Sequence, residues 1–170
     1  MNNDALKALV GQGLSAMRAG GDVAAGATAE IRQDASNPEL QQALDQGNER
    51  AKQWQQRIEQ ALQQAGGGDQ NDNQVLEAHY RVSKLIRQQA PDPVSRDLGI
   101  IAAGQLALHY WIAAFGTIHT YAVALKLSQT ESDMKTCLDE AKEFDKAHTA
   151  LAHKLLDVPG TFSLKNLLAA

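Results

Sequence analysis

Apolar and small residues open the chain as Leu6, Val10, Gly13, Met17, Gly20, Ala24, Ala27 and Ile31, in alternating steps of four and three. That interval keeps one side of an α-helix against a neighbour and predicts a long first helix over 3–34. A second seam reads Leu40, Leu44, Gly47, Ala51, Trp54, Ile58, Ala61 and Ala65. Ser36 and Asn37 before Pro38 supply its start and Gly66, Gly67 and Gly68 its stop, so a second helix is expected over 38–65 and the pair forms an antiparallel hairpin. A shorter helix over 73–89 follows, with Val75, Leu76, His79, Val82, Leu85 and Ile86 as its inner stripe, ended by Pro91 and Pro93.

Asp92 and Pro93 then open a fourth helix, expected over 93–127, which runs from Leu98 to Leu125 without one Asp, Glu, Lys or Arg. Its length would cross a bilayer, but Gln105, His109, Tyr110, Thr117, His119, Thr120 and Tyr121 interrupt it. A helix that is apolar nearly all round with such groups fits the central member of a soluble bundle, and no membrane is expected. The last helix, over 131–157, carries Met134, Leu138, Ala141, Asp145, His148, Ala152 and Leu155 on one line. Thr130 and Asp133 resemble a capping box at its start, and Pro159 and Gly160 stop it before a tail over 158–170, where Ser163 would cap a short turn at 164–168.

Composition narrows the class. A chain of 170 residues suits one domain, and two long hairpins joined through a short crossover helix have the connectivity of an all-α ferritin-like four-helix bundle. The net charge of −4 comes from 16 basic and 20 acidic residues in mixed order, which leaves no basic face for nucleic acid or anionic lipid. Cys137 has no second cysteine to pair with and no apolar leader opens the sequence, so a cytoplasmic setting is expected. No nucleophile motif or phosphate-cradling glycine loop occurs; Gly66 to Gly68 read as a helix stop.

Several words are more specific. Ser36-Asn37-Pro38-Glu39-Leu40-Gln41-Gln42-Ala43-Leu44, Ile100-Ile101-Ala102-Ala103-Gly104-Gln105, Ile112-Ala113-Ala114-Phe115-Gly116-Thr117 and Leu138-Asp139-Glu140-Ala141-Lys142-Glu143-Phe144-Asp145 resemble the YciE/YciF-type bacterial ferritin-like proteins. The resemblance implies a stress-associated, dimeric bundle with a carboxylate-bridged di-metal site. It also marks where this chain departs. Acid positions of the family in the fourth helix read Leu108 and Trp111, around His109 and Tyr110; the second helix has Glu49, Arg50 and Trp54; the last has Glu140, Ala141 and Asp145; the first has Gly21 or Asp22.

Arg50, Trp54, Leu108, Trp111 and Ala141 are therefore expected to form a relic of the di-metal site. An unpaired buried carboxylate is costly, so a bundle without its ions should fill the vacated space with apolar bulk. Gly20, Gly21 and Gly47 are expected to make room for the two indoles, and Arg50 to pair with Asp145. The expected function is non-enzymatic binding or scaffolding by a homodimer, with no cofactor. The alternative is a metal-dependent oxidase or peroxide scavenger holding iron or manganese on Glu49, Glu140, Asp145 and His148, with Asp145 and His148 three apart on one helix. His109 and His119 are read as satisfied core or interface residues.

Overall fold

Five helices carry residues 2–67 and 72–157, the part of the chain described by a computed structural model. They are α1 (Asn3–Asp34), α2 (Pro38–Ala65), α3 (Gln74–Gln89), α4 (Pro93–Leu125) and α5 (Ser128–Leu155), and no strand occurs among the described residues. The expected tail over 158–170, with its Ser163 cap, lies outside the described residues, as does Gly68.

Side-chain oxygens start four of the helices. Asn2 accepts from Asp4 N, Asn37 from Glu39 N and Leu40 N, Asn73 from Leu76 N, and Asp92 from Ser95 N. Each satisfies donors that the helix itself cannot. Gly66 ends α2 at φ +88°, where a side chain would be strained, and the Gly67 amide reaches back to Leu62 O at 2.9 Å. α5 differs from expectation at its start. Its N-cap is Leu127 without a side-chain cap, while Thr130 lies inside the helix, buried, and donates to Gln64 Oε1 at 2.8 Å across to α2.

The four long helices pack in cyclic order, α1 on α2, α2 on α5, α5 on α4 and α4 on α1. Their cross-links run antiparallel at each seam: Arg32 meets Asp45 and Gln55 meets the Arg18 carbonyl, while Arg50 meets Glu140 and Gln64 meets Thr130. Gln105 meets Thr149 and His119 meets the Glu131 carbonyl on the α4–α5 side. α3 lies against α1 and α4, with Asn73 bonded to Ala16 O and Arg87 to Asp34, so it runs parallel to α1 and returns the chain to the end where α4 starts. Asp97 fastens that end. Its carboxylate, 2% exposed, accepts from Ser36 N and Asn37 N at 2.8 Å each, tying α4 to the α1–α2 turn.

α3 turns over the stripe expected of it. Leu76 is buried, but Val75, Val82 and Leu85 face outward, Ile86 is partly exposed beside Gly99 of α4, and the inner positions include Ser83 and Arg87. A buried guanidinium is tolerable because Asp34 takes Arg87 Nε at 2.7 Å, Glu30 lies 3.4 Å from Nη2 and Ser83 accepts from Nη1 at 2.9 Å. α4 is buried along Ile100, Ile101, Ala103, Ala107, Trp111, Phe115, Ile118 and Ala122. By length and composition it could cross a membrane, and 39% of its most apolar window is buried inside the fold.

The glycines of α1 serve other neighbours than the indoles. A Cβ at Gly20 would meet Asn73 Nδ2 and Leu76 Cδ1 at 2.7 Å, and one at Gly21 would meet Gln55 Oε1 at 2.1 Å. They admit the start of α3 and a glutamine of α2. At Gly47 a Cβ would meet nothing within 4 Å. The glycine-rich α1 is nonetheless continuous.

Candidate functional site

Helical spacing sets three hydrogen-bond donors of α2 on one side, Arg50, Trp54 and Arg57 at intervals of four and three. All three converge on one residue of α5. Arg50 Nη1 donates to Glu140 Oε1 at 2.7 Å, while Arg57 Nη1 and Trp54 Nε1 each donate to Oε2 at 2.8 Å. Arg50 therefore pairs with Glu140 and not with Asp145. Residues 140 and 145 stand about 140° apart around α5, so one faces α2 while the other faces α4. Asp145 accordingly lies 3.4 Å from Gln105 Nε2 and 3.4 Å from His109 Nε2, both on α4.

Burial works against the charge of Arg57, but its contacts with Cys137 Sγ and Glu140 outweigh it and hold the guanidinium pKa above its ordinary value. Cys137, fully buried, has its thiol pushed up to about 11 by burial, against the pull of Arg57. It stays protonated and unreactive at neutral pH.

Behind the Glu140 node lies an aromatic cluster. Trp54 and Trp111, each 6% exposed, have ring centres 6.2 Å apart; Phe115 stacks on Trp111 at 5.5 Å and meets Trp54 edge-on at 5.2 Å. Phe144 and Tyr110 complete it from the two flanks. Ala141 is fully buried beside these rings and Leu108 is half-buried against them.

The rings do not fill the interior. A half-open pocket of about 140 Å³ remains, lined from all five helices and bounded by Trp54, Leu108, Trp111 and Phe144. His79 of α3 and His148 of α5 also line it. His148 Nδ1 lies 2.8 Å from the Phe144 carbonyl, which can only accept, so Nδ1 carries the proton. His79 Nε2 is buried without a hydrogen-bond partner, and burial lowers the pKa of this ring against the opposing Ala103 carbonyl. Neither Arg57 nor His79 was prominent in the sequence pattern; Arg57 was legible as the next member of the Arg50–Trp54 face, whereas nothing in the sequence shows that Nε2 of His79 lacks a partner.

The expected metal ligands do not assemble. Glu49 is exposed and pairs with Lys52, both Glu140 oxygens are taken, and Asp145 faces Gln105 and His109. Among the described residues no group of three or more His, Cys, Asp or Glu is placed to hold a metal ion. Two hard cations need several unshared carboxylate oxygens, and this donor set does not fit a di-metal centre.

The sequence of the family described as "Domain of unknown function (DUF892)" matches this chain over residues 13–158. No curated protein matches it significantly. Among solved structures it is similar to the Escherichia coli stress protein YciF, at 24% identity and a TM-score of 0.85, covering 91% of this chain and 98% of that one. It is also similar to YcfI of Rhodopseudomonas palustris, given a structural role provisionally, at 22% identity and a TM-score of 0.78, covering 83% of this chain and 90% of that one. At these identities the likeness establishes a shared fold.

Proposed function

From the premise that this chain belongs to the DUF892 family and is of YciF type, we propose that it is a ferritin-like four-helix bundle, stress-associated, whose di-metal site has degenerated. It acts by binding or scaffolding and performs no metal chemistry. The observation that carries this reading is the convergence of Arg50, Arg57 and Trp54 on both oxygens of Glu140. Two guanidinium groups and an indole N–H already engage both Glu140 oxygens, so an ion at this carboxylate would have to compete with bound positive charge.

The protein works as a cytoplasmic homodimer in this reading. Support comes from Val75, Val82 and Leu85 on the outer side of α3 and from Leu106 and Val123 on the uncharged stretch of α4, all of them exposed. Large apolar side chains in that number favour a covered surface. Purification from cells supplied with iron and manganese tests the central part. The expected result is substoichiometric metal, unchanged by Asp145→Ala. A content of about one to two equivalents of iron or manganese that Asp145→Ala releases would transfer the protein to the di-metal oxidase class.

A further inference from the structure

Exposed residues of α4 recur as Ala102, Leu106, His109, Ala113, Thr117 and Thr120, in steps of four and three, and the stripe runs on to Ala124. No Asp, Glu, Lys or Arg interrupts it, since none occurs between Leu98 and Leu125. The solvent face of a helix ordinarily carries charge, yet Leu106 lies 66% exposed in this one.

α3 extends the stripe sideways. Its charged residues Glu77, Arg81, Lys84 and Arg87 occupy one half of the helix, while Val75, Ala78, Val82 and Leu85, all exposed, occupy the other. Lys84 and Arg87 reach Glu30 of α1, and Ile86 packs against Gly99, where a Cβ would lie 2.6 Å from its Cγ2. The charged half therefore turns towards α1 and the apolar half lies alongside the stripe of α4.

The combined face has a step in it. α3 covers α4 only as far as Tyr110, whose Oη accepts from Asn73 at the start of α3. Beyond that level the same flank of α4 borders α1 directly, across a shallow groove lined by Gly13, Ala16, Met17, Tyr110, Ala113 and Thr117. One half of the face is a ridge and the other a groove, and neither presents a charge. Turned by 180° about an axis that crosses α4 at right angles near Tyr110, one copy lays its ridge in the groove of another, and symmetry supplies the reverse contact. A parallel pairing would instead set α3 on α5, which borders α4 on the opposite flank through Gln105 and Thr149 and exposes Lys135, Lys142 and Lys146.

Size fits as well. From Ala102 to Ala124 the stripe is about 33 Å long and two helices side by side are about 18 Å wide, so a pair would bury about 1,200 Å², where specific stable interfaces begin. A face without charge does not repel its own image and has nothing to select a charged partner, and the net charge of −4 sets the chain against anionic lipid.

We propose that the α3–α4 face is the two-fold interface of a homodimer, with α3 of each copy seated in the α1–α4 groove of the other and the axis passing near Tyr110. The proposal rests on the homodimer reading and supplies its surface, direction and register.

Sedimentation velocity of the full chain should give a dimer. Leu106→Glu and Val82→Glu, at exposed positions, should each raise the dissociation constant about 100-fold or more, because symmetry buries every introduced carboxylate twice. Gln46→Glu, on the exposed side of α2, should leave it unchanged, and circular dichroism checks that all three variants keep their helicity. Disulfide formation reads the register. With Cys137 buried and inert, Val82→Cys and Thr117→Cys should each stay uncrosslinked alone and form an interchain bond when mixed and left to exchange. A dimer that survives both Leu106→Glu and Val82→Glu, or a mixture that forms no bond, overturns the proposal and leaves the homodimer reading standing. A wild-type chain that is monomeric at about 100 µM overturns both, and co-sedimentation of that monomer with phosphatidylcholine vesicles would assign the face to lipid.

Discussion

Glu140 and His79 stand on two sides of the same interior and meet opposite fates. Glu140 has three donors from one face of α2, so every carboxylate oxygen is engaged and the residue acts as a rivet between α2 and α5. His79, reaching in from α3, has a buried nitrogen with no hydrogen-bond partner. The contrast teaches that an interior carboxylate and an interior imidazole are accommodated differently: Glu140 is supplied with counter-charge from α2, whereas His79 Nε2 is enclosed without a partner.

The largest effect should come from breaking the Glu140 side. Glu140→Ala strands Arg57 and Trp54 Nε1 and should lower stability by about 2–3 kcal/mol in urea unfolding, less than a fully enclosed pair because Arg50 is 39% exposed. Glu140→Leu combined with Arg57→Leu should recover at least half of that loss, since removing both members of the pair leaves no stranded guanidinium at position 57.

Glycines sharpen the comparison at the next level. Gly20→Ala pushes a methyl group into Asn73, whose amide is held by Ala16 O and Tyr110 Oη, and should destabilise by about 1–2 kcal/mol. Gly47→Ala meets no neighbour and should stabilise by about 0.5–1 kcal/mol through helix propensity. Thermal unfolding of the two variants with opposite signs would establish that α1 is packed tight at its α3 contact while α2 is loose beside the pocket.

The smallest effect concerns protons. Burial lowers the His79 pKa from its usual 6.5, so as pH falls the unfolded chain takes up a proton before the folded chain does. Stability from this group is therefore complete above about pH 6.5 and declines as pH falls towards the folded-state pKa. His79→Leu should flatten that acid-side slope in unfolding measured across the range, whereas Glu140→Ala should leave the His79 contribution in place.

Much of the fold was legible because helices announce themselves through period and punctuation. Asn37 with Pro38, Asp92 with Pro93 and Gly66 mark the ends where the structure has them, and Trp54 and Trp111 read correctly as interior residues. The failures share a cause. The apolar stripe of α3 predicted its inner side, but Arg87 and Ser83 are inward because Asp34 and Glu30, distant in sequence, are there to receive the guanidinium. Thr130 looked like a cap, yet its hydroxyl serves Gln64 on another helix. The Arg50 pairing depended on which of two acids on α5 faces α2, a matter of helix rotation that period alone does not fix. Partners across seams are tertiary facts, and so is a pocket.

The engagement of both Glu140 oxygens by donors of α2 is the claim on which the metal-free interpretation depends, and manganese(II) reports on it directly. Added to the purified protein while the indole N–H signal of Trp54 is recorded, the ion should leave that signal as sharp as those of distant amides at equimolar concentration, because two guanidinium groups already neutralise Glu140 and oppose a further cation. Selective broadening of the Trp54 signal at one equivalent, abolished by Glu140→Gln, would place an ion among these side chains and contradict the account.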